Sequence, residues 1–144
     1  MKFKFDPNQE FQLQAINSIV DCFEGQEKTT AQTVAGLGLF GIYPNVLTLS
    51  PEDIHTNIKK IQESNTVKCD PCADMDLSIE METGTGKTYV YLRTIFELNQ
   101  KYGWKKFIIL VPSVAIREGV IKTLQITEDH FKDLYANTPF RFYE

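Results

Sequence analysis

The fold is decided by the stretch Thr83-Gly84-Thr85-Gly86-Lys87-Thr88. Its two glycines predict a tight turn, and the lysine after them opens an apolar pattern with helical spacing. Such a turn points backbone N–H groups at phosphate oxygens, and the N-terminus of the helix adds a favourable partial charge. The stretch therefore predicts a phosphate-binding loop between a strand and a helix.

Each part of this loop has a predicted role toward ATP and Mg²⁺. Residues 83–86 (Thr83, Gly84, Thr85 and Gly86) would cradle the phosphates, Lys87 would neutralise their charge, and the hydroxyl of Thr88 would join the shell of the Mg²⁺ ion carried by the nucleotide. Met81 stands where the usual pattern has a glycine, so the motif is a relaxed form. The alternative is an ordinary turn before a lysine that starts a helix.

The flanking residues predict an α/β fold with a parallel sheet and flanking helices. Residues 77–81 read as a strand, a helix follows from Lys87 to about Lys101, and Gly103 ends it. The apolar run at residues 107–111 resembles a parallel strand that is covered on both faces, and Pro112 ends it. A strand, a helix and a strand in this order predict a parallel crossover.

Four further helices are predicted. The first has Asp6 as its cap and ends at Gly25, and the second begins at Ser50 and ends at Ser64-Asn65. After the second strand, one helix is expected from about Val114 to Leu124 and another from Thr127. Residues 29–49 are expected to form extended segments around glycine turns, and residues 1–5 a short strand.

Composition sets limits on the function. The 144 residues are 42% hydrophobic and 12% aromatic, which is enough for one globular domain. The net charge of −4 excludes a general basic surface for nucleic acid, so contact with DNA must be local. No signal peptide and no apolar run of bilayer length is apparent, and three cysteines are too few for a disulfide framework. The cytoplasm is the expected location.

Three weaker patterns have ordinary explanations. The string Gly36-Leu37-Gly38-Leu39-Phe40-Gly41 matches a dinucleotide motif by letters only, because no helix start follows it. Cys69 and Cys72 have the spacing of half a zinc site, but one pair is not a site, and free thiols are expected. Lys105 and Lys106 precede the predicted strand at residues 107–111 and are expected to lie on a solvent-exposed edge.

Two stretches, residues 80–88 and residues 107–119, closely resemble the Res subunit of type III restriction enzymes, a group of superfamily-two helicase-like motors. The resemblance implies a partial RecA-like motor domain. In that family the first stretch binds ATP, and the second touches the backbone of a DNA strand. Pro112, Ser113, Arg117 and Glu118 fall on the second motif, so Ser113 and Arg117 are candidate DNA contacts. The alternative for Arg117 is a surface arginine paired with Glu118 or Glu128.

The run Phe11-Gln12-Leu13-Gln14-Ala15 resembles the signature with which such motors read adenine. Gln12 is the candidate reader, because an amide can both donate to and accept from the N6/N7 edge of adenine. The alternative is a surface glutamine on an amphipathic helix, and Gln14 leaves the register ambiguous.

The resemblance also implies the function of the whole protein. Residues 1–144 would be the N-terminal part of the first ATP-binding domain, with an accessory insertion at about residues 26–75. The protein would be an ATP-dependent DNA translocase within a restriction endonuclease, with DNA and a modification methyltransferase subunit as partners. Alternatives are another ATPase built on the same loop or a stand-alone nucleotide-binding module.

The chain itself contains only part of such a machine. No Asp-Glu-x-His-like segment follows, and neither a second motor domain nor a nuclease domain is seen, so this chain alone should hydrolyse ATP very poorly. The incomplete sheet would leave open edges, which predicts self-association.

Overall fold

The computed structural model describes residues 5–36, 43–68 and 76–144 of the chain. All regular structure in these residues is helical. The elements are α1 (Glu10–Val20), a 3-10 turn (Asp21–Phe23), α2 (Ala31–Gly36), α3 (Pro51–Ser64), α4 (Lys87–Tyr102) and α5 (Val114–Leu134). None of these helices is both long and apolar enough to cross a bilayer.

The predicted parallel sheet, and with it the α/β fold class, is wrong for the described residues, which contain no strand. A strand requires a neighbouring backbone that takes its N–H and C=O groups, and residues 77–81 and 107–111 have none among the described residues. Ile108 and Leu110 are 88% and 89% exposed. The apolar run was interpreted as covered on both faces, but hydrophobicity alone does not specify what covers it. Glu80, unexpected in a covered strand, is exposed.

Helix α4 is the centre of the structure, because two of its faces are buried against different helices. One face packs Leu92 and Phe96 against Phe131 of α5. The other packs Val90 and its neighbours against Ile16 of α1. Since α4 begins at the predicted phosphate loop, these two cores fix the direction in which the helix meets that loop.

The predicted helix at Ser50 is confirmed. The Ser50 hydroxyl accepts a hydrogen bond from the Asp53 amide at 3.1 Å, and α3 ends at Ser64. The helix at Lys87 is also confirmed, with Gly103 as a left-handed C-cap. The Ser50 cap at the start of α3 and the Gly103 cap at the end of α4 made these helices readable from sequence.

Two predicted helix starts are wrong. In each case the polar side chain that was expected to cap a helix bonds to another backbone group instead. Asp6 accepts from the Asn8 amide at 2.9 Å and so closes a turn, and α1 begins only at Glu10. Thr127 does not start a new helix. It is 0% exposed, and its hydroxyl donates to the Thr123 carbonyl at 2.7 Å within the continuous α5.

The region predicted as extended segments contains the short helix α2. Thr30 and Thr33 cap it reciprocally: the Thr30 hydroxyl accepts from the Thr33 amide at 3.2 Å, and the Thr33 hydroxyl accepts from the Thr30 amide at 3.3 Å. Residues 37–42 lie outside the described residues, so the glycine string is only partly covered. Residues 1–4 of the predicted N-terminal strand and the Cys69-Cys72 pair also lie outside them.

Amide side chains attach the predicted insertion to the rest of the structure. The Asn57 amide on α3 donates to the Glu24 carbonyl at 2.9 Å. Asn45 accepts from the Lys105 and Lys106 amides at 2.8 and 3.2 Å. Lys105 also lies 4.4 Å from the centre of the Tyr43 ring. The lysine pair therefore contacts the insertion through its backbone and through one side chain.

A tyrosine and a histidine connect α4 with α5. The Tyr89 hydroxyl and His130 Nε2 lie 2.8 Å apart, and Phe5 packs on both rings. Burial lowers the pKa of the His130 imidazole, and the Arg93 charge lowers it further, whereas Asp133 raises it. A neutral imidazole can accept a hydrogen bond from the tyrosine hydroxyl, but a protonated imidazole cannot.

This pair predicts an acid-sensitive contribution to stability. Because the folded-state pKa of His130 lies below the unfolded value, the unfolded chain binds the proton more readily, and stability falls as the pH drops through about 6.5. The melting temperature should therefore decrease between about pH 7.5 and pH 5.5, and less so for His130→Gln. His55→Gln, on the exposed side of α3, is the control and should keep the decrease. Equal pH dependence of His130→Gln and the unsubstituted chain would contradict the assignment.

Candidate functional site

The phosphate loop is a sharp turn immediately before α4. Gly84 and Gly86 have φ values of 83° and 85°, which L-residues with a side chain rarely adopt. Gly86 is the N-cap of α4, and the Thr85 hydroxyl donates to the Glu82 carbonyl at 2.6 Å across the turn. A Cβ added at Gly84 would meet no atom within 4 Å. The loop is thus a turn that is open at Gly84 and lies at a helix N-terminus, a position that suits an anion.

The Lys87 ammonium lies over this turn. It donates to the Met81 carbonyl and, at 2.7 Å, to the Glu82 carbonyl. An ammonium has three donors, so one remains after these two bonds. The two carbonyls hold the charge at the mouth of the loop, and the third donor is the one that can meet a phosphate oxygen.

Thr88, the residue after Lys87, contacts Tyr91 one turn further along α4. Burial raises the pKa of Tyr91, and its side-chain hydrogen bond with Thr88 lowers it. A hydroxyl that donates its proton keeps two lone pairs on oxygen. The Thr88 oxygen is therefore compatible with a place in the coordination shell of Mg²⁺. In the described part of the chain, no three His, Cys, Asp or Glu residues form a metal-binding group.

Gln12 is brought to the loop from far away in the sequence. Its side-chain amide donates to the Thr85 carbonyl at 2.9 Å, and the residue is only 7% exposed. A Cβ on Gly86 would lie 2.8 Å from the Gln12 amide nitrogen. Gln14 is exposed and donates instead to Asn65 at 2.6 Å. Of the two glutamines, Gln12 is therefore the one that contacts the loop.

Ser113 and Arg117 lie at the start of α5. The Ser113 hydroxyl accepts from the Ile116 amide at 3.3 Å and caps the helix. Arg117 pairs with Glu118 at 3.2 Å and with Glu144 at 3.7 Å. Both pairs are exposed, so each contributes little to stability and leaves the guanidinium accessible. Among the described residues, no hydrogen bond or ion pair connects Ser113 or Arg117 with the phosphate loop.

Sequence reasoning did not single out Arg93, the one buried cation among the described residues. It lies on α4, and its neighbours are the carbonyl of Pro7, the hydroxyl of Tyr135 and the carboxylate of Glu97. The available signal was position: Arg93 falls among Leu92, Phe96 and other apolar residues of the buried helix faces. A charge there requires partners.

A family model described as "Type III restriction enzyme, res subunit" matches residues 6–138, which is most of the chain. The chain belongs to this Res-subunit family. The match contains the phosphate loop, Gln12 and the start of α5, the regions through which the sequence resembles the family. The recognition made from the sequence is therefore confirmed.

Three Res subunits are similar in sequence to this chain. The type III restriction-modification enzyme EcoPI Res subunit of Escherichia phage P1 is 32% identical over 140 residues, which cover 92% of this chain and 14% of the relative. The EcoP15I Res subunit of Escherichia coli is 41% identical over 95 residues, 62% of this chain and 10% of the relative. The StyLTI Res subunit of Salmonella typhimurium is 49% identical over 65 residues, 44% of this chain and 7% of the relative. The Res-family chain thus spans a small fraction of the curated relatives it matches.

Proposed function

We propose that this chain is the ATP-binding front part of a motor subunit that acts on DNA in a restriction system. The single observation that carries the proposal is the contact of the buried Gln12 amide with the Thr85 carbonyl, which joins the two motifs across 73 positions of sequence. A phosphate loop alone is common to many ATPases. A loop with an amide beside it is suited to read a base as well as to hold phosphates.

Each candidate residue has a role in this proposal. The loop residues Thr83, Gly84, Thr85 and Gly86 cradle the phosphates, and Lys87 neutralises their charge. Thr88 would hold Mg²⁺, and the ion would supply positive charge that stabilises the charge on the phosphates. Gln12 has a second N–H and a carbonyl oxygen left after its bond to Thr85, and these match the N7 and N6 atoms of adenine.

The wider function follows from the family. The relatives are named as Res subunits of restriction-modification enzymes, and we infer for the whole protein an ATP-dependent restriction endonuclease with helicase-like movement on DNA. Its partners would be DNA and a modification methyltransferase subunit, and its location the cytoplasm. Residues 1–144 would form the N-terminal part of its first ATP-binding domain, and by themselves should hydrolyse ATP very poorly.

The base preference tests the proposal. The chain should bind a fluorescent ATP analogue with Mg²⁺, and ATP should displace it better than GTP does. Gln12→Ala should reduce this preference by about tenfold, since a good two-point contact to a base discriminates by about 1–3 kcal/mol. Gln14→Ala, whose amide bonds to Asn65, is the matched control and should keep it. An unchanged preference in Gln12→Ala would instead favour another ATPase, or a nucleotide-binding module, built on the same loop.

The DNA contact is proposed for Ser113 and Arg117. An exposed guanidinium beside a helix N-terminus is suited to a phosphate of the DNA backbone, which gives affinity without reading sequence. Arg117→Ala should weaken binding of a labelled oligonucleotide in fluorescence anisotropy by about three- to tenfold at low salt. Arg141→Ala, which removes another arginine near the end of the chain, is the control. Equal losses from both substitutions would indicate a general charge effect and contradict a site at Arg117.

A further inference from the structure

Arg93 lies where three parts of the chain meet. It is 7% exposed and lies on α4, six positions after the phosphate-loop lysine. One of its terminal nitrogens donates to the Pro7 carbonyl in the segment before α1. Its Nε donates to the Tyr135 hydroxyl at 3.3 Å, just after α5, and lies 3.6 Å from the Glu97 carboxylate. Tyr135 in turn donates to Glu97 at 2.7 Å, so the buried charge is fully partnered.

The Pro7 carbonyl is an anchor for the start of α1. Only two residues separate Pro7 from the helix start at Glu10, and the turn between them is closed by Asp6 and the Asn8 amide. The Gln9 carbonyl then accepts a hydrogen bond from the backbone N–H of Gln12 at 3.0 Å. A fixed Pro7 therefore fixes the first turn of α1, which is the turn that carries Gln12.

The position of Gln12 tolerates little displacement. Its side chain bridges to the Thr85 carbonyl at 2.9 Å, and it lies against Gly86 so closely that a methyl group there would overlap it. A hydrogen bond of this length weakens steeply when the donor and acceptor separate by more than a few tenths of an ångström. A small rotation of the first turn of α1 would therefore remove Gln12 from the loop.

We propose that Arg93 is a positioning residue for base recognition: by holding the Pro7 carbonyl against α4, it keeps Gln12 on α1 at the phosphate loop. This inference rests on the proposed role of Gln12 as the reader of adenine. Arg93 itself touches neither the loop nor, in this proposal, the nucleotide. It acts through the start of α1, and its loss should change which base is preferred more than it changes phosphate binding.

The far end of α1 supplies a matched control. There the Tyr102 hydroxyl on α4 donates to the Val20 carbonyl at 2.8 Å. This bond also joins α4 to α1 through a backbone carbonyl, but it lies two turns beyond Gln12. Tyr102→Phe should therefore reduce stability without changing base preference, which separates a positioning role from a merely structural one.

The test compares the ratio of ATP to GTP affinity in four variants with the unsubstituted chain. Arg93→Met keeps the apolar stem and removes the donors, and Arg93→Lys keeps the charge and supplies the measurement if Arg93→Met does not fold. We expect either variant to lower the ratio by about tenfold, to the level of Gln12→Ala, while Tyr102→Phe keeps it. A folded Arg93→Met or Arg93→Lys chain with an unchanged ratio, beside a reduced ratio in Gln12→Ala, would overturn the inference and leave the proposed function intact.

A second readout requires no nucleotide. The side-chain amide signal of Gln12 can be assigned in a ¹⁵N–¹H spectrum by its loss in Gln12→Ala. In the Arg93 variants it should move toward the position of exposed glutamine amides, and in Tyr102→Phe it should stay. An unmoved signal in a folded Arg93 variant would overturn the inference.

Equal affinity of the unsubstituted chain for ATP and GTP would overturn the role of Gln12 in adenine reading, and the inference with it.

Discussion

Lys87→Ala should weaken Mg-ATP binding by about 10- to 100-fold. Hydrogen bonds that involve a charged group contribute about 1.5–3 kcal/mol, and the ammonium of Lys87 is the cation that the loop itself supplies to the phosphates. Its two bonds to the Met81 and Glu82 carbonyls hold it at the mouth of the loop. Alanine removes both the charge and this positioning. Titration calorimetry at constant ionic strength measures the loss directly.

Lys101→Ala is the control for this substitution. Lys101 lies on the same helix, and it pairs with Asp21 at 2.7 Å in an exposed bridge. Its removal changes the net charge by the same amount, but at the other end of α4. ATP affinity should be nearly unchanged in Lys101→Ala. If the two substitutions weakened binding equally, the effect would be one of net charge, and the phosphate loop would lose its assigned role.

Gly86→Ala should destabilise the fold by about 2–3 kcal/mol and should also abolish the preference for ATP over GTP. An alanine at a φ of 85° costs about 1–2 kcal/mol. Its Cβ would lie 2.8 Å from the Gln12 amide nitrogen, so that side chain must move and give up its bond to Thr85, at about 1 kcal/mol more. Thermal unfolding measures the first effect, and competition between ATP and GTP measures the second.

Gly84→Ala separates backbone strain from the displacement of Gln12. Gly84 has a φ of 83°, but its added Cβ would meet nothing within 4 Å. This substitution should cost about 1–2 kcal/mol of stability, and it should weaken ATP and GTP binding alike. A similar change of base preference in Gly84→Ala and Gly86→Ala would show that Gln12 is not the source of that preference.

Local signals predicted the helices at Ser50 and Lys87 correctly and the sheet wrongly, for a physical reason. The cap at Ser50 and the glycine at Gly103 act on neighbouring backbone groups, so a few residues determine them. A sheet requires a second backbone at the right place. The apolar character of residues 107–111 predicts a buried segment, but it does not specify a partner. No neighbouring strand is present among the described residues, and Ile108 and Leu110 are exposed.

The candidate site was predicted in its parts, but not in its connections. The sequence indicated the loop and Gln12 through their motifs, and left the choice between Gln12 and Gln14 open. The contact of Gln12 with Thr85 depends on how α1 packs against α4, which no local pattern specifies. Arg93 was missed for the same reason, since its partners Pro7 and Tyr135 come from opposite ends of the chain.

Helix α4 connects these observations. It carries the phosphate loop at its start, it holds α1 and α5 on two faces, and its buried arginine bonds to the segment before α1 and to the residue after α5. The proposed base reader on α1 and the proposed DNA contact at the start of α5 are thus both attached to the helix that begins at the phosphate loop.

A titration of the ¹⁵N-labelled chain with Mg-ATP, followed by ¹⁵N–¹H spectra, tests the central claim most directly, because it reports where the nucleotide binds. We predict saturable shifts that are largest at the backbone amides of residues 83–88 and at the side-chain amide of Gln12, and that disappear in Lys87→Ala. Shifts that do not saturate, or that are largest away from the loop and Gln12, would contradict the assignment of this site to ATP.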